Sequence, residues 1–344
     1  MIKELRDIFD KDFDYSSLVN STLDIKEKSV LLINNNSEKR LNELIVDAIN
    51  KNVKNIITSK KCTIVDKKII RVENYERTFN DLLNKICKDF ETKKYFGITG
   101  TNGKTTTGFY LNQLIANKSI FIGTTEEDLF KNITNEEHLT TPKLFNIIQL
   151  LSKQENKDIV DVIIEVSSHA LDQDRLKGII FKVSGFTNLS QDHFDYHKNF
   201  DNYYKSKLKL FSKELSEKLV YIESEWGNKI KNDSKLPSFS IGMQSTNDLY
   251  VKRIKTQKES FNINFYLDGK KYDISVPLGG PLSHMNYLLA LSMAYYSGEY
   301  KLDDLLEASS EIYNPLGRHE IYSLGTNDVV IDYAHTPESI KQSI

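Results

Sequence analysis

Cysteine is scarce. The 344-residue chain has two, Cys62 and Cys87. They stand far apart and form no metal-ligand or redox motif, which leaves them to be read as small buried hydrophobes. Long apolar runs are missing too. None reaches the roughly 18–20 residues of a membrane span, and the start, "MIKELRDIFDKDFDYSS", has no signal-peptide core. An excess of one charge is also lacking: 46 Lys and Arg stand against 48 Asp and Glu, a net charge of −2. That excludes a broad basic surface for nucleic acid. The expectation is a cytoplasmic protein with no membrane and no nucleic-acid partner, and any phosphate it binds must be held by local sites.

What is present is a soluble globular composition, 39% hydrophobic and 27% charged, in a chain long enough for two or three cores. The fold class is α/β. Residues 1–90 alternate strand and helix patterns: "KSVLLINNNSE", "KRLNELIVDAINKNVKNIITSK" and "KKIIRVENYERTFNDLLNKICKDF" describe a small α/β domain. Residues 91–316 read as a larger parallel-sheet domain. "KKYFGIT", "DIVDVIIEV" and "FKVSGFTNLS" are its strands, and Lys104 to Ile120 fits a helix. Leu249 to Pro277 alternates and turns at Asp268-Gly269, an antiparallel hairpin. "SHMNYLLALSMAYYSG" is a buried helix closed by Gly298. Residues 317–344 offer two strands and a helix start, with Thr336 as cap and Pro337 at the first helical position. "VVIDYA" there looks like an inner strand without neighbours. A piece so short cannot bury a core, so it is expected to be the beginning of a truncated third domain.

The chemistry gathers at strand ends. "GITGTNGKTTT", Gly97 to Thr107, puts a glycine turn between a strand and a helix, where backbone N–H groups surround an anion. Its spacing departs from G-x-x-x-x-G-K-[ST], since the first glycine would fall on Ile98. Gly100 and Gly103 allow close backbone approach to phosphate oxygens. Lys104 can reach the β/γ-phosphates, and the Thr105 hydroxyl can ligate Mg²⁺. "EVSSHALDQDR" puts Glu165 at the end of an apolar strand, where a carboxylate is costly unless paired or bound to metal; Ser167, Gln173 and Arg175 follow. "NLSQDHFDYH" sets His193 and His197 four apart among Asp192 and Asp195, a weak signal by itself. All three motifs follow strands whose carboxyl ends meet at one edge of a parallel sheet, the place where such sheets bind ligands. In "NYYKSKLKLF", a helix, Tyr204, Leu208 and Phe211 form the apolar stripe, and Lys205 and Lys209 are solvated. Lys207 stands at the stripe margin, where partial burial favours the neutral amine. A neutral amine can react with CO₂ to form a carbamate.

Together these motifs resemble the Mur ligases, which build the peptide of bacterial cell-wall precursors. "GTNGKTT" is the phosphate-loop form of that family. "TTP" (Thr140 to Pro142), "EVSSHALDQDR", "NLSQDHFDYH", "YYKSKLKLF" and "DYAHTP" resemble more narrowly the type that adds the third residue to UDP-N-acetylmuramoyl-L-alanyl-D-glutamate. "EVSSHALDQDR" and "DYAHTP" set it apart from folyl-polyglutamate and cyanophycin synthetases. The resemblance runs from about residue 95 to the end. It implies a small N-terminal domain for the UDP substrate, a central P-loop ATPase domain and the start of a Rossmann-like C-terminal domain. It implies that Gly100, Thr101, Asn102, Gly103, Lys104, Thr105 and Thr106 hold ATP, with Asn286, Arg318 and Asp332 near the nucleotide. Ser21, Thr140, Thr141, Ser167, Gln173 and Arg175 would contact the UDP-muramoyl-dipeptide. Lys104, Glu165, His193 and Lys207 would be catalytic. Thr105, Glu165, His193 and Lys207, carbamylated by CO₂, would hold Mg²⁺.

The partners implied are the UDP-muramoyl-dipeptide and an amino acid, lysine or diaminopimelate, taken up by a monomer. The family's Asp-Ser-Arg signature is replaced by "NST", Asn20 to Thr22, and Leu289 stands where a second asparagine follows Asn286. Two readings remain open at this point: an ATP-dependent amide-forming ligase, or a truncated, non-catalytic homologue that binds ATP and a UDP-sugar.

Overall fold

The computed structural model describes residues 9, 13, 15–90, 92–115, 118–124, 139–325, 327–334 and 340–341. These fall into two compact units: one from residues 1–92 and 142–158, the other from 93–127, 139–141 and 159–344.

The first unit is built on four parallel strands in the order β1-β2-β3-β4: Leu18–Val19, Val30–Leu32, Asn55–Ser59 and Ile69–Val72. Its helix Glu38–Asn50 is capped by the Ser37 hydroxyl and buries Leu41, Ile45 and Ala48. That i, i+4, i+7 spacing is one helical stripe laid on the sheet. Cys62 packs in the same core, 2% exposed. Cys87 lies in the helix Tyr75–Asp89, and its side chain is outside what the structure describes. The helix Leu144–Ser152 belongs here as well. Phe145 stacks near Phe79 at 6.2 Å, and Gln149 donates to the Leu18 carbonyl.

The second unit carries a nine-stranded sheet in the order β13-β12-β11-β10-β9-β8-β5-β7-β6. β5 is Lys94–Thr99, β6 Ser119–Ile122, β7 Asp161–Glu165, β8 Phe181–Phe186, β9 Leu219–Ile222 and β10 Ser238–Gly242. β11 is Leu249–Thr256, β12 Phe261–Leu267 and β13 Lys270–Val276. β5 through β11 run parallel; β12 and β13 add an antiparallel edge. β8, β5 and β7 lie side by side, so their three polar endings share one edge of the sheet. Strand β7 is buried along its whole length, as a two-sided inner strand must be. The helix Ser283–Ser297 is buried nearly all round and packs on the Lys104 helix and on β8 and β9. It ends at Gly298, whose φ of +82° closes the last turn without a side-chain clash.

Three expectations need correction. The Lys104 helix stops at Leu114, not Ile120. The chain turns at Lys118 (φ +55°), and Ser119–Ile122 leaves to pair with β7, because an apolar β-branched run gains more as a buried strand. Leu249 to Pro277 holds three strands rather than a hairpin alone. In the helix Phe200–Leu208, Lys207 is fully buried, not marginal, while Leu208 is only half-buried. "VVIDYA", read as an inner strand without neighbours, falls partly in β15: β14 (Glu320–Leu324) and β15 (Asn327–Ile331) form an antiparallel pair by themselves, and every residue of β15 is exposed. Thr336 and Pro337 lie outside the described residues.

Candidate active site

The site is a cleft of about 270 Å³ at the carboxyl edge of β8, β5 and β7. β5 ends in the glycine loop, and the helix that follows opens at Gly103, with φ +83°. A Cβ there would meet the Asn286 side chain, and one on Gly100 (φ +152°) would fall on the Thr187 hydroxyl. Both positions therefore demand glycine for space as well as for φ.

The loop is held by groups that follow β8. The Asn188 side-chain oxygen accepts from Asn102 N at 3.0 Å, and its amide donates to the Asn102 carbonyl at 3.1 Å. The Thr187 hydroxyl donates to the same carbonyl at 2.6 Å. Thr101 N donates to the Asn188 carbonyl, and the Thr101 hydroxyl bonds Ser190 and Tyr203. The loop is thus pre-shaped, with its own backbone tied down from outside.

Glu165 ends β7 and is 3% exposed. It accepts from the Thr105 hydroxyl at 2.8 Å and from Thr124 N at 3.1 Å, and Lys104 Nζ lies 3.9 Å away. A buried carboxylate needs such partners. The Lys104 ammonium donates to the Thr101 carbonyl at 2.8 Å. Burial lowers its pKa, and Glu165 and Asp192 oppose that shift. Lys207, 1% exposed, donates to the Gly100 carbonyl at 2.7 Å and lies 4.6 Å from the Tyr203 ring. Burial pushes its pKa well below the usual lysine range, with repulsion from Lys104 next in size. His193 takes the left-handed conformation (φ +52°) and faces Asp192 at 3.4 Å; burial lowers its pKa.

The cleft also brings Thr140, Ser167, Asn286, Arg318 and Asp332 to its wall. Arg318 reaches the Thr105 hydroxyl at 3.5 Å. Thr106 is buried at the helix start, and Thr141 sits just behind the wall, donating to the Glu165 carbonyl and accepting from Ser167 N. Gln173 and Arg175 bond each other at 2.7 and 2.9 Å, and Arg175 also holds the Thr141 carbonyl at 2.9 Å. His197 turns inward to Ser168, 5% exposed. Ser21 belongs to the first unit, where its hydroxyl caps the turn Thr22–Asp24. Leu289 is wholly buried, a core residue. Thr187, Asn188, Tyr203 and Asp192 carry no role that sequence reasoning assigns. The only signal for the first two is a polar pair straight after an apolar strand.

Among the described residues no group of three or more His, Cys, Asp or Glu could hold a metal ion by itself. The Thr105 hydroxyl and the Glu165 carboxylate beside the glycine loop are oxygen donors that suit a hard cation keeping water and phosphate oxygens in its shell, as Mg²⁺ does, while the His193 imidazole is a softer donor than such a cation ordinarily takes.

Residues 98–294 match the Mur ligase middle domain. A curated relative, the UDP-N-acetylmuramoyl-L-alanyl-D-glutamate--2,6-diaminopimelate ligase of Rickettsia typhi, is 30% identical over 97% of this chain and 69% of its own length. A solved structure of an enzyme of that same name superposes with a TM-score of 0.73 at 19% identity, covering 98% of this chain and 72% of the other. The MurF ligase of Thermotoga maritima, solved with ADP, gives 0.70 at 17% identity over 96% and 74%. The matched segment takes in more than half the sequence and contains the loop, Glu165, His193 and Lys207, so this chain belongs to the Mur ligase family.

Proposed function

We propose that this chain is an ATP-dependent amide-forming ligase. It adds a third amino acid, lysine or diaminopimelate, to UDP-N-acetylmuramoyl-L-alanyl-D-glutamate. The observation that carries this reading is one constellation in the cleft: Lys104, Thr105 and Glu165 at the head of a strand–loop–helix, with Lys207 on the same cleft wall bonded to the Gly100 carbonyl. In this reading residues 1–90 serve the UDP substrate, 91–316 the nucleotide, and 317–344 begin a third domain. The protein acts as a cytoplasmic monomer; among the described residues no helix is long and apolar enough to cross a membrane.

The loop N–H groups of Gly100–Thr106 cradle the phosphates, and Lys104 offsets charge on the γ-phosphoryl as it moves. Thr105, Glu165, His193 and the carbamate of Lys207 would hold Mg²⁺, which supplies further charge neutralisation when bound. Asn286, Arg318 and Asp332 complete the nucleotide side. Ser21, Thr140, Thr141, Ser167, Gln173 and Arg175 take the UDP-dipeptide. The substrate's glutamate carboxylate accepts the γ-phosphoryl, giving an acyl phosphate and ADP. The incoming amine then displaces phosphate and forms the amide.

The test is ADP release with Mg-ATP, bicarbonate and UDP-muramoyl-alanyl-glutamate, with and without lysine or diaminopimelate, and with hydroxylamine as a trap. Substrate-dependent ADP with amide or hydroxamate is expected. ATP binding without substrate-dependent ADP would overturn the ligase reading and leave a nucleotide-binding homologue.

A further inference from the structure

His319 follows Arg318 on the approach to β14 and lines the same cleft. Three observations meet at it. Its backbone is left-handed, φ +48°, a conformation that costs energy for a residue with a Cβ. That conformation is held by a bond from its N–H to Asp332 Oδ2 at 2.9 Å. Its Nδ1 is buried with no hydrogen-bond partner among the described residues. The ring rests on Gly279 and Gly280. A Cβ on Gly280 would stand 2.9 Å from His319 Cγ, so the turn offers bare backbone where the imidazole lies.

The bland alternative is a strained turn residue with a ring that merely packs. Other residues of the chain also have positive φ, so strain alone decides nothing. An unpaired, buried nitrogen on a ring whose residue lines a polar cleft does discriminate, because a buried polar atom without a partner is costly until something pairs with it.

Position says which part of a ligand that would be. The phosphate end of the cleft is taken by Lys104, Thr105 and Arg318. The Gly279–Gly280 turn lies ahead of the helix Ser283–Ser297, six residues before Asn286, which touches the loop at Gly103. His319 packs on the stretch of wall that runs through Gly280, Pro281 and Leu282, which carries no charged side chain, whereas Lys104 and Arg318 gather at the loop. Resting on the nucleotide reading above, we propose that His319 is a nucleotide-binding residue whose imidazole hydrogen-bonds the nucleoside part, ribose or base, of the nucleotide held by the loop.

The experiment is calorimetric titration of the whole chain and of His319→Ala with Mg-ADP and, separately, with Mg-tripolyphosphate, which has phosphates and no nucleoside. His319→Ala is expected to weaken ADP about tenfold, the worth of one hydrogen bond to a buried partner, and to leave tripolyphosphate within about twofold. His319→Asn, which tolerates the left-handed backbone and restores an amide near Nδ1, should recover most of the loss. Thermal melts establish that each variant is folded. Equal weakening of both ligands, or unchanged ADP affinity, overturns the assignment. A wild-type chain that binds tripolyphosphate and ADP alike also overturns it while leaving the phosphate loop intact. A wild-type chain that binds neither overturns the nucleotide reading itself.

Discussion

Both units carry a parallel sheet, and both sheets present polar groups at the carboxyl ends of their strands, yet the two ends are finished differently. In the second unit the groups are ionisable, buried and paired: Glu165 with Thr105, Thr124 and Lys104, and Lys207 with the Gly100 carbonyl. In the first unit they are neutral, and several are unpaired among the described residues: Asn34 Oδ1 after β2, and the Thr58 and Ser59 hydroxyls in β3. Ser21 is spent on its own turn. In the second unit the strand order reverses at β5 and topology supplies a crevice there; the sequential order of the first sheet has no such switch point. What each sheet edge can do depends on whether its side chains are committed to one another or still lack partners.

Breaking the charged end should have the largest effect. Lys104→Ala is expected to lower substrate-dependent ADP release by about 10²–10³, the usual loss when one charge-stabilising donor is removed from an active site. Steady-state ADP assays read this directly, and a fall of less than tenfold would remove Lys104 from the chemistry. Next comes Gly100→Ala. Its Cβ would collide with Thr187 and the φ of +152° is strained, so a loss of about 2–4 kcal/mol in urea unfolding is expected.

Lys207 sharpens the comparison through pH. Burial holds its amine well below the usual lysine range when folded. Between that folded value and the unfolded value near 10.4, the unfolded chain therefore binds more protons. Stability must rise with pH through that window and level off above it. Relative to Lys207→Met in CO₂-free buffer, wild type should gain up to about 1.4 kcal/mol per pH unit. A flat difference would show an amine that stays charged inside. With ¹³C-bicarbonate, a carbamate resonance present in wild type and absent from Lys207→Met is the companion observation.

At the neutral end, Thr58→Val should be harmless or stabilising by up to about 1 kcal/mol in the ligand-free protein, because it removes a hydroxyl that has no partner among the described residues. A loss above about 1 kcal/mol would show that the hydroxyl is paired in solution. Smallest of all, Val330→Asp on the exposed β15 should change stability by less than about 0.5 kcal/mol.

Much of the central sheet is legible in the amino-acid pattern. β5, β7 and β8 are apolar runs that each end in a polar motif, and the Gly298 stop is a plain signal. β6 is not legible, since an apolar run straight after a helix continues the helical pattern as well as it starts a strand. β9 and β10 are short runs of the same ambiguous kind. Within the site, the loop and Glu165 stand out by residue type. Asn188 and Tyr203 do not, because their work is to bond groups far away in sequence.

The sequence alone determined the α/β class, the glycine loop, the order of the strand-end motifs and the family they resemble. These depend on local pattern and on residue types whose chemistry is fixed. Only the tertiary structure decided that Lys207 is wholly buried against the Gly100 carbonyl, that His193 faces the cleft while His197 turns into the core, and that His319 lies at the wall with an unpaired nitrogen. Each of those is set by which distant segments the sheet order places side by side. Burial and pairing are properties of that neighbourhood, which local sequence does not encode.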